Sequence, residues 1–393
     1  MVNPETSVIY LDACATAPLR PGVLQRMIET QDQSWANPSS LHGFGLKASE
    51  ALERSRAEIA GKLSADHNDV VFTSGATESV HLALHGLAAL GSPGRLVISS
   101  VEHPAVSGAA RQLSSSGWKV IEWPVDPLGR ICLEHLDELL APPTRIVSLV
   151  WGQGEVGTIQ PLLNVAEACR KRGILIHTDA TQVFSQGLPS WNQLPVDLLS
   201  ASAHKCGGPR GIGLLMIRES LRCELKPLLS GGGQEGGLRS GTESVVLAAG
   251  MSAALDQIER SNPDHLARAG NGIADLRDVL RDRLLSDQRL VVCGDPEHRL
   301  PHHLSLLVRD QRGQPVSGRQ LVRSLDRRGL AVSSGSACSS GKDSDSPVLT
   351  AMGLPAELRR SSVRISLGPW ISADDLDGIV DRFHAGLEDV SSS

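Results

Sequence analysis

Val196-Asp197-Leu198-Leu199-Ser200-Ala201-Ser202-Ala203-His204-Lys205 sets a lysine directly after an apolar run. After Cys206 the chain continues as Gly207-Gly208-Pro209-Arg210-Gly211 and then a second apolar run, Ile212-Gly213-Leu214-Leu215-Met216-Ile217. A lysine at the end of a buried strand loses the water around its amine. Its pKa is expected to fall, and a neutral amine can form a Schiff base. Taken alone, such a lysine is more often a solvated surface group. Its weight comes from what stands at equivalent places elsewhere.

Working outward, short apolar runs recur at Val70-Val71-Phe72, Arg95 to Ile98, Arg145 to Val150 and Ile174-Leu175-Ile176. Helical patterns such as Thr77 to Leu90 and Val165 to Arg172 separate them. This alternation predicts an α/β fold with a mostly parallel sheet covered on both faces. Ligands of such sheets gather beyond the carboxyl ends of the strands. A helix-rich stretch from about Ser244 to Leu285 follows. A smaller α/β portion comes next, with strands expected at Leu290-Val291-Val292, Leu304 to Leu307 and Val363 to Leu367. The last helix is expected to start at Ser372 with Asp375 completing a capping box, and Leu376, Ile379, Val380, Phe383 and Leu387 form its apolar stripe.

With 393 residues, two domains are expected. A net charge of −6 gives no reason to expect nucleic acid or an anionic membrane as partner. The seven cysteines contain no CxxC pair, which argues against a zinc site or a disulfide framework and suits a reducing cytoplasm. Met1 to Leu11 has no basic segment leading into an apolar stretch, so no signal peptide is expected, and no apolar run has the length to cross a bilayer.

Four strand ends carry chemistry. Thr73-Ser74-Gly75-Ala76-Thr77-Glu78 opens a helix; it is either a phosphate cradle or an ordinary turn with a threonine cap. His103, in Glu102-His103-Pro104, either stacks on a planar ring or shuttles a proton, or is a plain loop histidine. Asp179, in His177-Thr178-Asp179-Ala180-Thr181-Gln182, either pairs with a protonated pyridine nitrogen or caps a helix. Lys205 follows, flanked by Ser202 and His204 as phosphate donors. An anchor, a platform, a counter-ion and a covalent hook are the four functions that pyridoxal 5′-phosphate requires. Arg364, in the alternating run Val363 to Leu367, either grips a substrate carboxylate in bidentate fashion or is a surface arginine of an edge strand. Cys338 lies in the small, polar stretch Ser333 to Asp345, which suits a reactive thiol on a moving loop. Cys14, Cys132, Cys169, Cys223 and Cys293 read as core or incidental residues, and Cys206 as packing.

The chain resembles the cysteine desulfurases of the class V aminotransferase group, fold type I enzymes of pyridoxal phosphate. The marks run from Tyr10-Leu11-Asp12 to Gly368. They include Asn37-Pro38-Ser39-Ser40-Leu41-His42, Glu155 to Pro161, Gly231 to Glu235, Leu238 to Thr242 and Ser334 to Ser339. The stretch between Cys338 and Pro347 resembles the long-loop subgroup, which supplies sulfur for iron–sulfur clusters. The resemblance implies a seven-stranded, mostly parallel sheet in a large cofactor-binding domain, residues 18–258. It implies a smaller domain, residues 1–17 and 259–393, carrying the cysteine loop and the carboxylate-binding arginine. It also implies that Lys205 holds the cofactor and moves protons, that Asp179 pairs with the pyridine nitrogen, and that Gln182 touches the ring hydroxyl. His103 then stacks on the ring. Ala76, Thr77, Ser202 and His204 hold the phosphate, with Thr242 reaching it from the other subunit of a homodimer. Arg364 and Asn37 hold the substrate carboxylate. Cys338 attacks the sulfur of L-cysteine, giving alanine and a persulfide that passes to an acceptor protein, an iron–sulfur scaffold or another carrier. No resident metal is implied, and Cys338 is left as a transient contact to a cluster on a partner.

The chain departs from that family's pattern in places. Gln153-Gly154 replace an asparagine pair whose second member contacts the ring hydroxyl, which leaves Gln153 to reach in. Val80-His81, Ala13, Gly236 and Glu243-Ser244 replace other usual residues. These changes imply altered cofactor tuning, a slower enzyme or a specialised acceptor. Two alternatives stay open: a selenocysteine lyase or other pyridoxal-phosphate β-lyase, and a low-activity divergent paralogue acting as a scaffold. An aminotransferase would not need Cys338.

Overall fold

The computed structural model describes residues 8–270, 272–335 and 345–391. Counting helices of eight residues or more, the chain opens with β1 (Ile9–Tyr10), α1 (Val23–Gln33), α2 (Gly43–Leu63), β2 (Val70–Thr73) and α3 (Ala76–Ala88). β3 (Arg95–Ser99), α4 (Pro104–Ser115), β4 (Lys119–Trp123), β5 (Thr144–Val150), α5 (Leu162–Lys171) and β6 (Leu175–Asp179) follow. Then come β7 (Leu198–Ser202), β8 (Gly213–Ile217), α6 (Val245–Asp256) and α7 (Ile273–Leu284). The last part holds β9 (Leu290–Cys293), β10 (His303–Val308), α8 (Gly318–Arg327), β11 (Leu330–Ala331), β12 (Ser333–Ser334), β13 (Ser362–Ser366) and α9 (Asp375–Ser391).

The large sheet has seven strands in the order β2-β8-β7-β6-β5-β3-β4. The neighbours from β7 to β4 pair in parallel, whereas β8 runs antiparallel to both β2 and β7. The reversal follows from the connection: a turn of ten residues joins β7 to β8, too short for the crossover that a parallel pair requires. Side chains alternate between two cores, as a period of two demands. Val70, Phe72, Val97, Val147, Leu149, Leu214 and Met216 meet α2, α5 and α6 on one face. Val71, Leu96, Ile98, Ile146, Leu215 and Ile217 meet α3 and α4 on the other. β4 escaped the sequence reading because it is an edge strand, with Lys119 and Glu122 exposed.

A four-stranded antiparallel sheet, β12-β13-β10-β9, packs with α7, α8 and α9 around Leu304, Leu306, Val363, Ile365 and Phe383. β1 pairs in parallel with β11, and Leu11 joins this same core. The capping box at the last helix forms by half. The Ser372 N–H and Oγ both donate to Asp375 Oδ2 at 2.8 Å, and residues 372–374 make a tight turn before the helix proper begins at Asp375. Leu376, Ile379, Phe383 and Leu387 of the expected stripe are buried. Among the described residues no helix is long and apolar enough to cross a membrane.

The segment from Gly231 to Thr242 is pinned to the large sheet by a buried ion pair. Arg56 Nη1 and Nη2 donate to Glu235 Oε2 and Oε1, both at 2.7 Å, and the Phe72 N–H donates to Glu235 Oε2 at 2.8 Å. Glu235 adopts φ 52, a left-handed conformation that costs energy in any residue with a Cβ. Removing Glu235 leaves the buried Arg56 guanidinium only the part-exposed Glu53 and the Val70 carbonyl as partners, and leaves the Phe72 N–H without its acceptor. Glu235→Ala is therefore expected to lower the unfolding free energy by about 3 kcal/mol. Urea unfolding measures this; a loss below about 1 kcal/mol, as for a surface pair, would contradict it.

Candidate functional site

The carboxyl ends of β2, β3, β6 and β7 converge. At the end of β2, Gly75 approaches β8 so closely that a Cβ on Gly213 would lie 2.7 Å from the Gly75 Cα. The close approach sets the start of α3 against β7, and Ser202 Oγ lies 4.0 Å from where a Gly75 Cβ would sit. No side chain caps α3: the threonine cap, one of the two readings of this turn, does not form, and Thr77 is exposed. Instead the Ser74 N–H donates to Glu78 Oε2 at 2.7 Å, and Arg239 holds Glu78 at 2.9 Å. The first N–H groups of α3, at Ala76 and Thr77, are therefore available to an anion beside Ser202.

After β3, His103 caps α4, its Nδ1 accepting the Ala105 N–H at 3.2 Å. The residue as a whole is exposed. Desolvation of the imidazole by the groups around it lowers its pKa, with Asp179 acting against that shift and Lys205 reinforcing it. Next to it Glu102 is buried, with Oε1 accepting from Val150 N–H at 2.8 Å and Ser99 N–H at 3.3 Å, while Oε2 has no partner. Burial and, against the pull of the Val150 and Ser99 donors, the nearby Asp179 push the Glu102 carboxyl up to about 8. Asp179, itself buried, ends β6 in register with Val150 and Ser200, and one of its oxygens accepts the Thr181 N–H at 2.9 Å.

Lys205 lies in the turn after β7, its Nζ donating to the Cys14 carbonyl at 2.9 Å. The same carbonyl accepts Gln182 Nε2 at 3.1 Å, and Gln182 Oε1 is buried without a partner. His204 Nδ1 meets Thr16 Oγ1 at 3.2 Å, and burial, reinforced by Lys205 and Arg210, takes its imidazole to about 4. Arg364 is no surface residue of an edge strand: β13 pairs on both sides and the residue is 5% exposed. Its Nη2 donates to Asp12 Oδ1 at 2.7 Å and its Nη1 to the Gly154 carbonyl at 2.9 Å.

Other sequence-selected residues stand apart. Asn37 is exposed between α1 and α2, its Oδ1 taken by the Ser39 N–H at 2.9 Å. Thr242 is exposed. Cys338 lies outside the described residues. The expectation that Gln153 reaches into the site is corrected: its Oε1 accepts the N–H groups of Glu155 and Val156 and its Nε2 donates to the Val101 carbonyl. Gly154 is occupied in another sense, since a Cβ there would lie 2.8 Å from Gln182 Nε2. Val80 is fully buried in the core beneath α3, so its place is one of packing. Gly236 has φ 64, where a larger side chain would be strained. Cys14 is buried, as a core residue is expected to be, and its backbone carbonyl is in addition a shared acceptor in the site. No residue-type signal marks a backbone carbonyl, and only its nearness to Asp12 pointed there.

The model of the family described as aminotransferase class-V matches residues 9–379. The chain is 39% identical over 374 residues to the cysteine desulfurase IscS of Aeromonas salmonicida, covering 94% of this chain and 90% of the relative. A solved NifS-like protein superposes with a TM-score of 0.86 at 31% identity, covering 97% of this chain and 99% of the other. SspA in complex with cysteine superposes with a TM-score of 0.79 at 31% identity, covering 92% and 99%.

The Glu102 carboxyl has a pH signature. Its folded-state pKa is raised from the ordinary 4.5 to about 8, so the folded state binds the proton more tightly than the unfolded chain. Its contribution to stability is present below pH 4.5 and is lost as the pH rises towards 8. Glu102→Gln removes this dependence. Urea titrations at several pH values are expected to show the variant gaining on the parent as pH rises through that window, and a constant difference would contradict the assignment.

Proposed function

The chain belongs to the cysteine desulfurases of the class-V aminotransferase family, and we propose that it takes sulfur from L-cysteine with pyridoxal 5′-phosphate held on Lys205 and a persulfide carried on Cys338. One observation carries the reading. The Lys205 amine is held at the same sheet end as the buried Asp179, with Ser202 beside the uncapped start of α3.

The residues fit that cofactor. A helix start without a side-chain cap suits a phosphate. The unpartnered, buried Gln182 Oε1 suits a ring hydroxyl, and an acid at the end of a buried strand suits a pyridine nitrogen that must stay protonated. Ala76, Thr77, Ser202 and His204 would hold the phosphate, Asp179 the nitrogen, Gln182 the hydroxyl and His103 the ring face. Thr242, exposed in one copy, would complete the phosphate site of a second copy in a homodimer. The bound group supplies a sink for the electron pair left on the substrate carbon.

Arg364 draws the substrate carboxylate, with Asp12 and the Gly154 carbonyl fixing the plane of its guanidinium. Asn37 is a second candidate for that carboxylate. Lys205 moves a proton to and from the substrate Cα. The Cys338 thiolate attacks the substrate sulfur: an S–S bond forms, the C–S bond breaks with its electron pair left on carbon, and protonation there gives alanine. The persulfide then passes to an acceptor protein, an iron–sulfur scaffold or another carrier. In the same reading residues 18–258 bind the cofactor, and residues 1–17 with 259–393 carry Arg364 and Cys338.

Borohydride treatment of the coenzyme-loaded protein is expected to leave an adduct at Lys205, found by peptide mass spectrometry. Incubation with cysteine is expected to add one sulfur to Cys338 as alanine appears. Cys338→Ser is expected to keep the coenzyme and to lose sulfur transfer by about a thousandfold or more. Unchanged sulfur release from that variant would assign the protein to another class of lyase. No adduct at Lys205 would overturn the reading altogether.

A further inference from the structure

Every polar atom of Cys14 is engaged. Its N–H donates to Ser366 Oγ at 2.9 Å, and its carbonyl accepts both Lys205 Nζ at 2.9 Å and Gln182 Nε2 at 3.1 Å. Its Sγ meets His302 Nε2 at 3.2 Å. Thiol and imidazole are each 1% exposed. Burial raises the thiol pKa, and burial reinforced by Arg277, Arg364 and Lys205 takes the imidazole down to about 3. The contact is therefore a hydrogen bond between neutral groups, and the thiol is no ready nucleophile.

His302 Nδ1 is buried without a hydrogen-bond partner, so the Cys14 contact is what orients this ring. The backbone of His302 is itself fixed, its carbonyl accepting the Leu367 N–H at 2.8 Å just beyond β13. Cys14 is thus tethered to the smaller sheet at two points, Ser366 and His302. Its carbonyl faces the other way, towards an amine that belongs to the large sheet.

We propose that the Cys14–His302 pair is a positioning element for the Lys205 amine. Through it the smaller sheet sets the place of the carbonyl that holds Lys205 and Gln182 before the coenzyme is captured. The inference rests on the reading of Lys205 as the coenzyme's attachment point. Loss of either member lets the 13–16 segment shift, and the amine and the Gln182 amide lose their common acceptor together. Neither side chain touches the substrate or takes part in bond making.

The test follows capture of pyridoxal 5′-phosphate by the coenzyme-free full chain, through the change in visible absorbance, alongside the urea unfolding midpoint of each variant. Cys14→Ala and His302→Leu are each expected to slow capture by roughly tenfold, the scale on which sub-ångström misplacement acts. A pair acting as one unit is non-additive, so the double variant should be no slower than either single one. Cys14→Ser, whose hydroxyl can either donate to or accept from the imidazole, should recover most of the parental rate. Parental capture rates in the folded single variants, or losses that multiply to about a hundredfold in the double, would overturn the pairing. Should Cys14→Ala not fold, Cys14→Ser in the His302→Leu background serves instead: it is expected to be as slow as His302→Leu, and a parental rate overturns the proposal. A parent chain that captures no coenzyme overturns both this inference and the reading of Lys205, whereas a parent that captures it with unaffected variants overturns only the inference.

Discussion

A guanidinium buried at a seam organises this molecule. Arg364 sits on β13 of the smaller sheet, yet it grips Asp12 from the N-terminal segment and the Gly154 carbonyl from the turn after β5 of the large sheet. A cation withdrawn from water must be matched on all sides. That demand brings three remote stretches of chain to one point. The turn bearing Gly154 is in turn held by Arg299, whose guanidinium donates to the carbonyls of Asp295, Val156 and Cys293. With the turn fixed, the carbonyl faces Arg364 and His303, and Gln182 fills the space beside Gly154. The polar site is thus assembled from backbone atoms as much as from side chains.

This explains what could be read in the sequence and what could not. Strand ends announce themselves: a short continuous apolar run is visible residue by residue, and β2, β3, β5, β6 and β7 were legible for that reason, with an imidazole, an acid and a lysine marking the ends of β3, β6 and β7. So were Asp179, Ser202 and Lys205 as neighbours, because parallel strands bring their carboxyl ends together. The Arg364 strand was legible from its alternation, although its central place in the sheet was not. The buried place of Cys14 was legible, but its further contribution was not, because that contribution is a carbonyl, which every residue carries. Gln153 was misread because an amide side chain satisfies its own turn at lower entropic cost than it reaches across a site. β4 was missed because an edge strand carries little of the apolar pattern.

Three of the positions expected to depart from the family's pattern have a clear place in the fold. Val80 completes a core, Gly236 relieves a left-handed backbone, and Gly154 leaves the room that the Gln182 amide takes.

The hairpin of β7 and β8 has an implication for the order in which the chain organises itself. The lysine lies inside a connection closed by strands only a few residues away on either side. Its acceptor carbonyl, by contrast, is 191 residues distant along the chain, and the Asp12–Arg364 contact spans 352. Short-range pairings close at small entropic cost, and those between the two ends of a polypeptide close last. A growing chain therefore presents Lys205 well before the C-terminal strand that bears Arg364 and Ser366 can complete its surroundings. The setting of Lys205 is consequently completed by the last strand of the chain, since the segment that holds its amine is itself tied to Ser366.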